Sequence, residues 1–250
     1  MRFFDADVLY GIPTPRRLYP FVPDSRMLRE KLQRFGIAKA VVSREEQFFH
    51  HAAAANMQLA DDIREFPELF GIWTILPPHC HEIPEPEEMA ALMRQHRIVG
   101  WQFFPGPHCY CFHPRVLHPW FELAEKHHIP LFIDLAQVEQ HHLYAVLERY
   151  PELTVILRNR SVWPPDREIR PFLTEFPRTY LQLSLYLVPG GLESLAAAGL
   201  IRRVLFATRF QTSHVGGPMM LLKHAILSEE DKQLVAAENL ERILGEINYV

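Results

Sequence analysis

A chain of 250 residues, 48% of them apolar, carries enough hydrophobic surface for one large barrel or for two small domains. A net charge of −4 with no basic run excludes nucleic acid as a natural partner. No apolar stretch approaches the roughly 18–20 residues that cross a bilayer, so no membrane partner is expected.

Apolar strand-like runs alternate with amphipathic stretches from one end to the other, and no low-complexity linker divides them. Strands are predicted over residues 2–9, 38–43, 69–76, 99–104, 130–135, 154–158, 180–185 and 203–208. The first run begins at Phe3, which leaves no room for a signal peptide. Asp24 or Ser25 caps a helix that buries Leu28, Leu32 and Phe35 and stops at Gly36. An alanine-rich helix runs from Glu45, through His50 and His51, and ends before Pro67. Pro86 opens a helix carrying Met89, Leu92 and Met93. His127 and His128 close another, where they suit the helix dipole. Leu143, Val146, Leu147 and Tyr150 form an apolar stripe ended by Pro151. A short seventh helix is predicted over residues 192–198, and Gly216-Gly217-Pro218 reads as a turn. Ser228 with Asp231 forms a capping-box pattern ahead of Leu234, Val235 and Leu240. Eight consecutive βα units predict a single (β/α)8 TIM barrel of the α/β class over residues 1–250, in preference to a doubly wound sheet. Chemistry in such a barrel belongs at the carboxyl ends of the strands.

Several segments at those ends are similar to one known family. Phe4-Asp5-Ala6-Asp7-Val8-Leu9-Tyr10-Gly11 matches an opening turn of the form hydrophobic-Asp-x-His-x-His. Val99-Gly100-Trp101-Gln102-Phe103-Phe104-Pro105 looks like a fourth strand of that family. Phe121-Glu122-Leu123-Ala124-Glu125, then Ile129-Pro130-Leu131-Phe132-Ile133-Asp134, matches a helix and a strand that usually ends in histidine. Tyr150-Pro151-Glu152-Leu153-Thr154-Val155-Ile156-Leu157 resembles the sixth strand, again usually followed by histidine. Arg203-Val204-Leu205-Phe206-Ala207-Thr208-Arg209-Phe210 resembles an eighth strand that ends in a catalytic aspartate in the family, and Leu227 to Asp231 with Asn239 the closing helix. From Phe3 to about Leu244 the chain thus resembles the amidohydrolase-related family of metal-dependent hydrolases and decarboxylases. The resemblance implies a TIM barrel whose histidines hold a divalent cation.

None of the corresponding positions here carries the family residue. Asp7 and Leu9 occupy the first-strand histidine slots, Asp134 the fifth-strand slot and Asn159 the sixth, with Arg158 one residue away. Arg209 stands in place of the eighth-strand aspartate. A bound cation brings water from a pKa of about 16 to about 7 while a carboxylate manages its proton. A guanidinium cannot act as that base, and its charge repels a metal. Asp7, Asp134 and Arg209 are therefore expected to converge as a charge-balanced catalytic or binding cluster, with Arg158, Asn159 and Gln102 lining a pocket for a small polar or anionic molecule. In this first reading no cofactor is required.

A second reading is an active metal-dependent hydrolase whose metal site is rebuilt from two loops together with Asp7 or Asp134. Pro77-Pro78-His79-Cys80-His81 and Pro105-Gly106-Pro107-His108-Cys109-Tyr110-Cys111-Phe112-His113 hold all three cysteines, so His79, His81, Cys109, Cys111 and His113 are candidate zinc ligands. Their spacing is not the two-residue gap of common zinc motifs, and buried cysteine or backbone-bonded histidine explains them equally. A third reading keeps the barrel alone, as a structural or interaction protein, in a homodimer. The odd cysteine count suits reduced thiols and a cytoplasmic location.

Overall fold

The computed structural model describes residues 1–13, 21–49, 51–159, 161–162 and 166–249, with the side chain of Phe49 outside the description. His50, which the sequence placed on a helix, lies outside the described residues. Eight strands form one parallel sheet in chain order: β1 (Phe3–Tyr10), β2 (Ile37–Arg44), β3 (Leu69–Thr74), β4 (Ile98–Gln102), β5 (Leu131–Asp134), β6 (Val155–Arg158), β7 (Thr179–Gln182) and β8 (Val204–Leu205). Helices α1 (Ser25–Phe35), α2 (Glu46–Phe49), α3 (Ala52–Asp62), α4 (Pro86–Gln95), α5 (Pro114–His127), α6 (Gln140–Arg149), α7 (Asp166–Glu175) and α8 (Gly191–Ala197) follow the first seven strands. After β8 come α9 (Gly216–His224), α10 (Glu229–Gln233) and α11 (Asn239–Gly245). This is the (β/α)8 TIM barrel that the alternation predicts.

Local chemistry accounts for several boundaries. Asp24, not Ser25, caps α1 by accepting from the Met27 N–H at 2.8 Å, and Gly36 ends it with φ +73°, a left-handed conformation that costs glycine little. Gly100 on β4 has a different reason to lack a side chain. A Cβ there would lie 2.5 Å from the Phe132 ring and 2.7 Å from the Pro130 carbonyl oxygen, so the barrel wall closes only around glycine. Trp101 of β4 packs edge-on against Trp120 of α5 at 5.1 Å, which buries both indoles between sheet and helix.

Other boundaries depart from the sequence reading. The helix predicted from Glu45 is two helices, α2 and α3, with His51 as the cap of the second. Gly216-Gly217-Pro218 opens α9 instead of forming a turn. Residues 183–185 leave the β7 ladder as a 3-10 turn, and β8 keeps just two ladder residues of the predicted six. The reason for the short β8 lies in its partners. A π-helical turn, Leu234–Glu238, frees the Val235 carbonyl to accept from the Phe206 N–H at 2.9 Å. The Asn239 amide donates to the carbonyls of Ile201 and Val204 at 3.0 and 2.9 Å. The closing helices thus hold a segment that ladder bonds alone do not.

The seam between β1 and the chain after β8 is irregular too. The Ala6 N–H donates to Phe206 O at 2.9 Å and the Arg209 N–H to Asp7 O at 2.8 Å. Asp5, fully buried, fastens the seam with its side chain. It accepts from the Thr208 N–H at 3.0 Å, the Thr208 hydroxyl at 2.6 Å and the Asp7 N–H at 3.1 Å. Burial pushes the Asp5 carboxyl from 3.8 up to about 7, against the lowering pull of those hydrogen bonds. The folded state therefore binds this proton more tightly than the unfolded chain. The resulting stabilisation is full below about pH 4 and disappears as pH rises through about 7, a slope of at most about 1.4 kcal/mol per pH unit. Asp5→Asn imitates the protonated acid. Urea denaturation from pH 4 to 8 is expected to show a flatter stability profile for the variant, with a gain over the parent above pH 7. An unchanged slope would contradict the assignment.

Candidate functional site

At the carboxyl ends of the strands lies a cavity of about 190 Å³. Asp7 and Leu9, two residues apart on β1, both line it, as the period of a strand requires. Gln102 and Asp134, the last residues of β4 and β5, join them, as do Arg158 at the end of β6 and Arg209 after β8. Phe48 and Phe104 form an apolar wall, their rings edge-to-face at 4.8 Å. Another depression of similar volume, about 200 Å³, lies beside α1 at the amino ends of β2 and β3, away from the strand tips where barrels keep their chemistry.

The charges at the strand tips are arranged around Arg158. Its Nε and Nη2 donate to the two Asp7 oxygens at 2.8 and 2.6 Å, and its Nη1 stands 3.6 Å from Asp134 Oδ2. Asp134 Oδ1 accepts from the Ala136 N–H at 2.8 Å, and Oδ2 accepts from Arg209 Nη2 at 3.2 Å. Side-chain exposures of 3% for Asp7, 6% for Asp134 and 11% for Arg158 against 25% for Arg209 rank the four by depth. Burial alone would pull the Arg158 guanidinium down. The charges of Asp7 and Asp134 and their hydrogen bonds more than offset this and hold it above its ordinary value.

The sequence reading grouped Arg209 with the two aspartates as the charge-balancing cation and put both Arg158 and Asn159 in the pocket lining. The structure gives that role to Arg158. Arg209 reaches Asp134 alone. Asn159, one residue further, turns away and donates to the Leu185 carbonyl at 3.3 Å. The signal that distinguishes them is ladder register: Asp134 of β5 pairs directly with Arg158 of β6, so both side chains rise on one face. Arg44, also at the rim, is held by Glu46 and Asp62 and lies over the Tyr10 ring, roles that the sequence reading missed.

The Cys/His loops do not assemble a site. His79, His81, Cys109 and Cys111 are exposed, and His81 faces Glu85 at 3.1 Å. His113 caps α5, its Nδ1 accepting from the Arg115 N–H at 3.1 Å. Cys111 Sγ approaches His142, 4.0 Å from its Nε2, and the His113 ring lies edge-on to the same imidazole at 6.0 Å. Among the described residues no three His, Cys, Asp or Glu side chains are placed to hold a metal ion. The loops turn the candidates outward because proline and helix capping, not mutual ligation, fix their backbones.

The barrel centre does not fit a divalent cation either. Asp7 and Asp134 are its central carboxylates, with Glu45 and Gln102 also on the cavity wall; Leu9 offers no donor atom, and the Arg158 guanidinium lies between Asp7 and Asp134. Magnesium, manganese or calcium favours about six oxygen-type ligands, and zinc about four ligands of which imidazole and thiolate are preferred. A cation placed between Asp7 and Asp134 would meet the fixed positive charge of Arg158.

No curated protein matches the chain by sequence. Among solved structures it is similar to a 2,6-dihydroxybenzoate decarboxylase from Rhizobium, with 14% identity, a TM-score of 0.76, and 98% of this chain and 99% of that one covered. It is similar to an uncharacterised TIM-barrel protein from Bordetella bronchiseptica, with 17% identity, a TM-score of 0.70 and the same coverage of 98% and 99%. A dihydroxybenzoic acid decarboxylase from Polaromonas sp. JS666, with bound manganese and the inhibitor 2-nitroresorcinol, aligns at 13% identity and a TM-score of 0.73, covering 98% of this chain and 97% of that one. At these identities the likeness speaks for the fold. The sequence profile of the Amidohydrolase family matches residues 13–245, nearly the whole chain, and on that ground this protein belongs to the amidohydrolase family.

Proposed function

We propose that this chain binds a small carboxylic acid at the barrel mouth, with the Asp7–Arg158–Asp134 cluster standing where the family resemblance places metal ligands. The observation that carries the reading is the state of Arg209. A guanidinium has five N–H donors. Among the described residues one of these is engaged, with Asp134, and the side chain lines the cavity a quarter exposed. Arg44 and Arg158 are each paired with two carboxylates and only 11% exposed, so Arg209, paired with one and 25% exposed, has the most donors free for a ligand. Planar, forked donors suit a carboxylate.

Size and wall chemistry narrow the ligand. A cavity of about 190 Å³ is smaller than the roughly 300–1,000 Å³ of drug-sized sites, so a compact acid fits best. Leu9, Phe48 and Phe104 give its body an apolar surface. Relatives described as acting on dihydroxybenzoate and 5-carboxyvanillate accord with a flat aromatic acid. Within the site Asp7 anchors Arg158, since both its oxygens accept from that guanidinium. Asp134 Oδ2, between Arg158 and Arg209, fixes the position of the Arg209 guanidinium at the cavity.

Two measurements test this reading. Benzoate should raise the melting temperature of the parent protein, and Arg209→Ala should weaken its binding about 10- to 100-fold, the effect of losing a hydrogen bond to a charged group. Equal affinity in parent and variant would refute the anion site. Arg158→Met should cost about 3–5 kcal/mol in urea denaturation, because it leaves buried carboxylates unpaired. Adding Asp7→Asn should recover part of that loss, whereas strictly additive effects would show that the two residues do not depend on each other.

A further inference from the structure

We infer that Gln102 sets the ligand specificity of this site, its side-chain oxygen serving as acceptor for a hydrogen-bond donor on the bound acid. The inference rests on the acid-binding reading above and deepens it. Gln102 is 2% exposed and lines the cavity, and its Oε1 is buried with no partner. A buried acceptor left unpaired costs about 1–3 kcal/mol, so such an atom at a cavity calls for a donor.

Which end of this amide faces the ligand is fixed by a relay that begins at backbone groups whose polarity cannot change. The Thr74 N–H donates to Asn56 Oδ1 at 2.9 Å, and Asn56 Nδ2 donates to the Thr74 carbonyl at 2.9 Å, so Asn56 has one allowed orientation. Gln47 Nε2 donates to that same Asn56 Oδ1 at 2.8 Å and to the Ile72 carbonyl at 2.9 Å. Gln47 Oε1 accepts from the Arg44 N–H at 2.7 Å, which fixes Gln47 in turn. What Gln47 presents to Gln102 is therefore an oxygen, and Gln102 answers with Nε2, at 3.4 Å from Gln47 Oε1 and 3.2 Å from Thr74 Oγ1. Flipping the Gln102 amide would set two oxygens against each other. Its Oε1 is thus left over by necessity. The two Nε2 bonds are long and the terminal torsion of glutamine is broad, so a small swing brings Oε1 up to a ligand without dismantling the relay.

The chemistry selected is an acid with a hydroxyl or amino group on its body: Arg209 takes the carboxylate and Gln102 Oε1 takes the donor. Isothermal titration with benzoate and its three monohydroxy isomers tests the assignment. At least one hydroxylated isomer should bind the parent protein about tenfold or more tightly than benzoate, a hydrogen bond's worth of discrimination. In Gln102→Met, which keeps the length and lacks the acceptor, the affinity ratio should fall to about one, and in Gln102→Leu likewise, should Met pack poorly. A ratio retained in both variants, or a parent protein that treats all isomers like benzoate, would overturn the role of Gln102 while leaving the acid site intact. A parent protein that binds none of the four would overturn the acid site and this assignment together.

Discussion

The Arg158 guanidinium lies between Asp7 and Asp134, and the rest of the strand-tip geometry depends on that contact. Two buried carboxylates, on β1 and β5 at opposite sides of the barrel, would each carry a desolvation cost of several kcal/mol if unpaired. A single planar cation answers both, with two donors to Asp7 and the third nitrogen toward Asp134. Because Arg158 is consumed in this way, Arg209 is released for the cavity, tied to the cluster by one bond to Asp134. The division of labour between the two arginines thus follows from depth. The inner one balances charge and the outer one keeps donors free.

The same cluster depends on how the barrel closes. Arg209 follows directly on Thr208, which Asp5 holds through both its N–H and its hydroxyl. The Arg209 N–H then donates to the Asp7 carbonyl, so the residue that offers its side chain to the cavity is pinned by its backbone to the strand that bears Asp7. Arg209 adopts φ +53°, uncommon outside glycine, and this turns the chain over the barrel mouth immediately after the seam. Seam and site are one piece of structure.

Much of the architecture was legible in the sequence because alternation of apolar runs and amphipathic helices is a direct imprint of the barrel. The short β8 was not legible, since its apolar residues are paired with a π-helical turn and with Asn239 some 30 or more residues later. Asp7, Asp134 and Arg209 came together as their places in the motif suggested. The sequence left Asn159 and Arg158 both as candidates for the pocket, because a one-residue shift on a strand reverses the direction of a side chain and register is settled by the neighbouring strand. The Cys/His loops misled for a different reason. Composition gathers ligand types in sequence, but His113 spends its imidazole on a helix cap and the thiols point outward. The orientation of Gln102 was invisible from the sequence, as it descends through Gln47 and Asn56 from peptide groups of β2 and β3.

In the proposed reading the Arg158 side chain fills the space between Asp7 and Asp134, where the family resemblance would place a metal ion. Diffraction from crystals of protein purified without chelators and soaked in manganese, with anomalous data collected for the metal, addresses it directly. The account predicts no anomalous peak within ligand distance of Asp7 or Asp134, with Arg158 still bonded to both oxygens of Asp7. A manganese ion coordinated by either carboxylate, with Arg158 displaced, would contradict it.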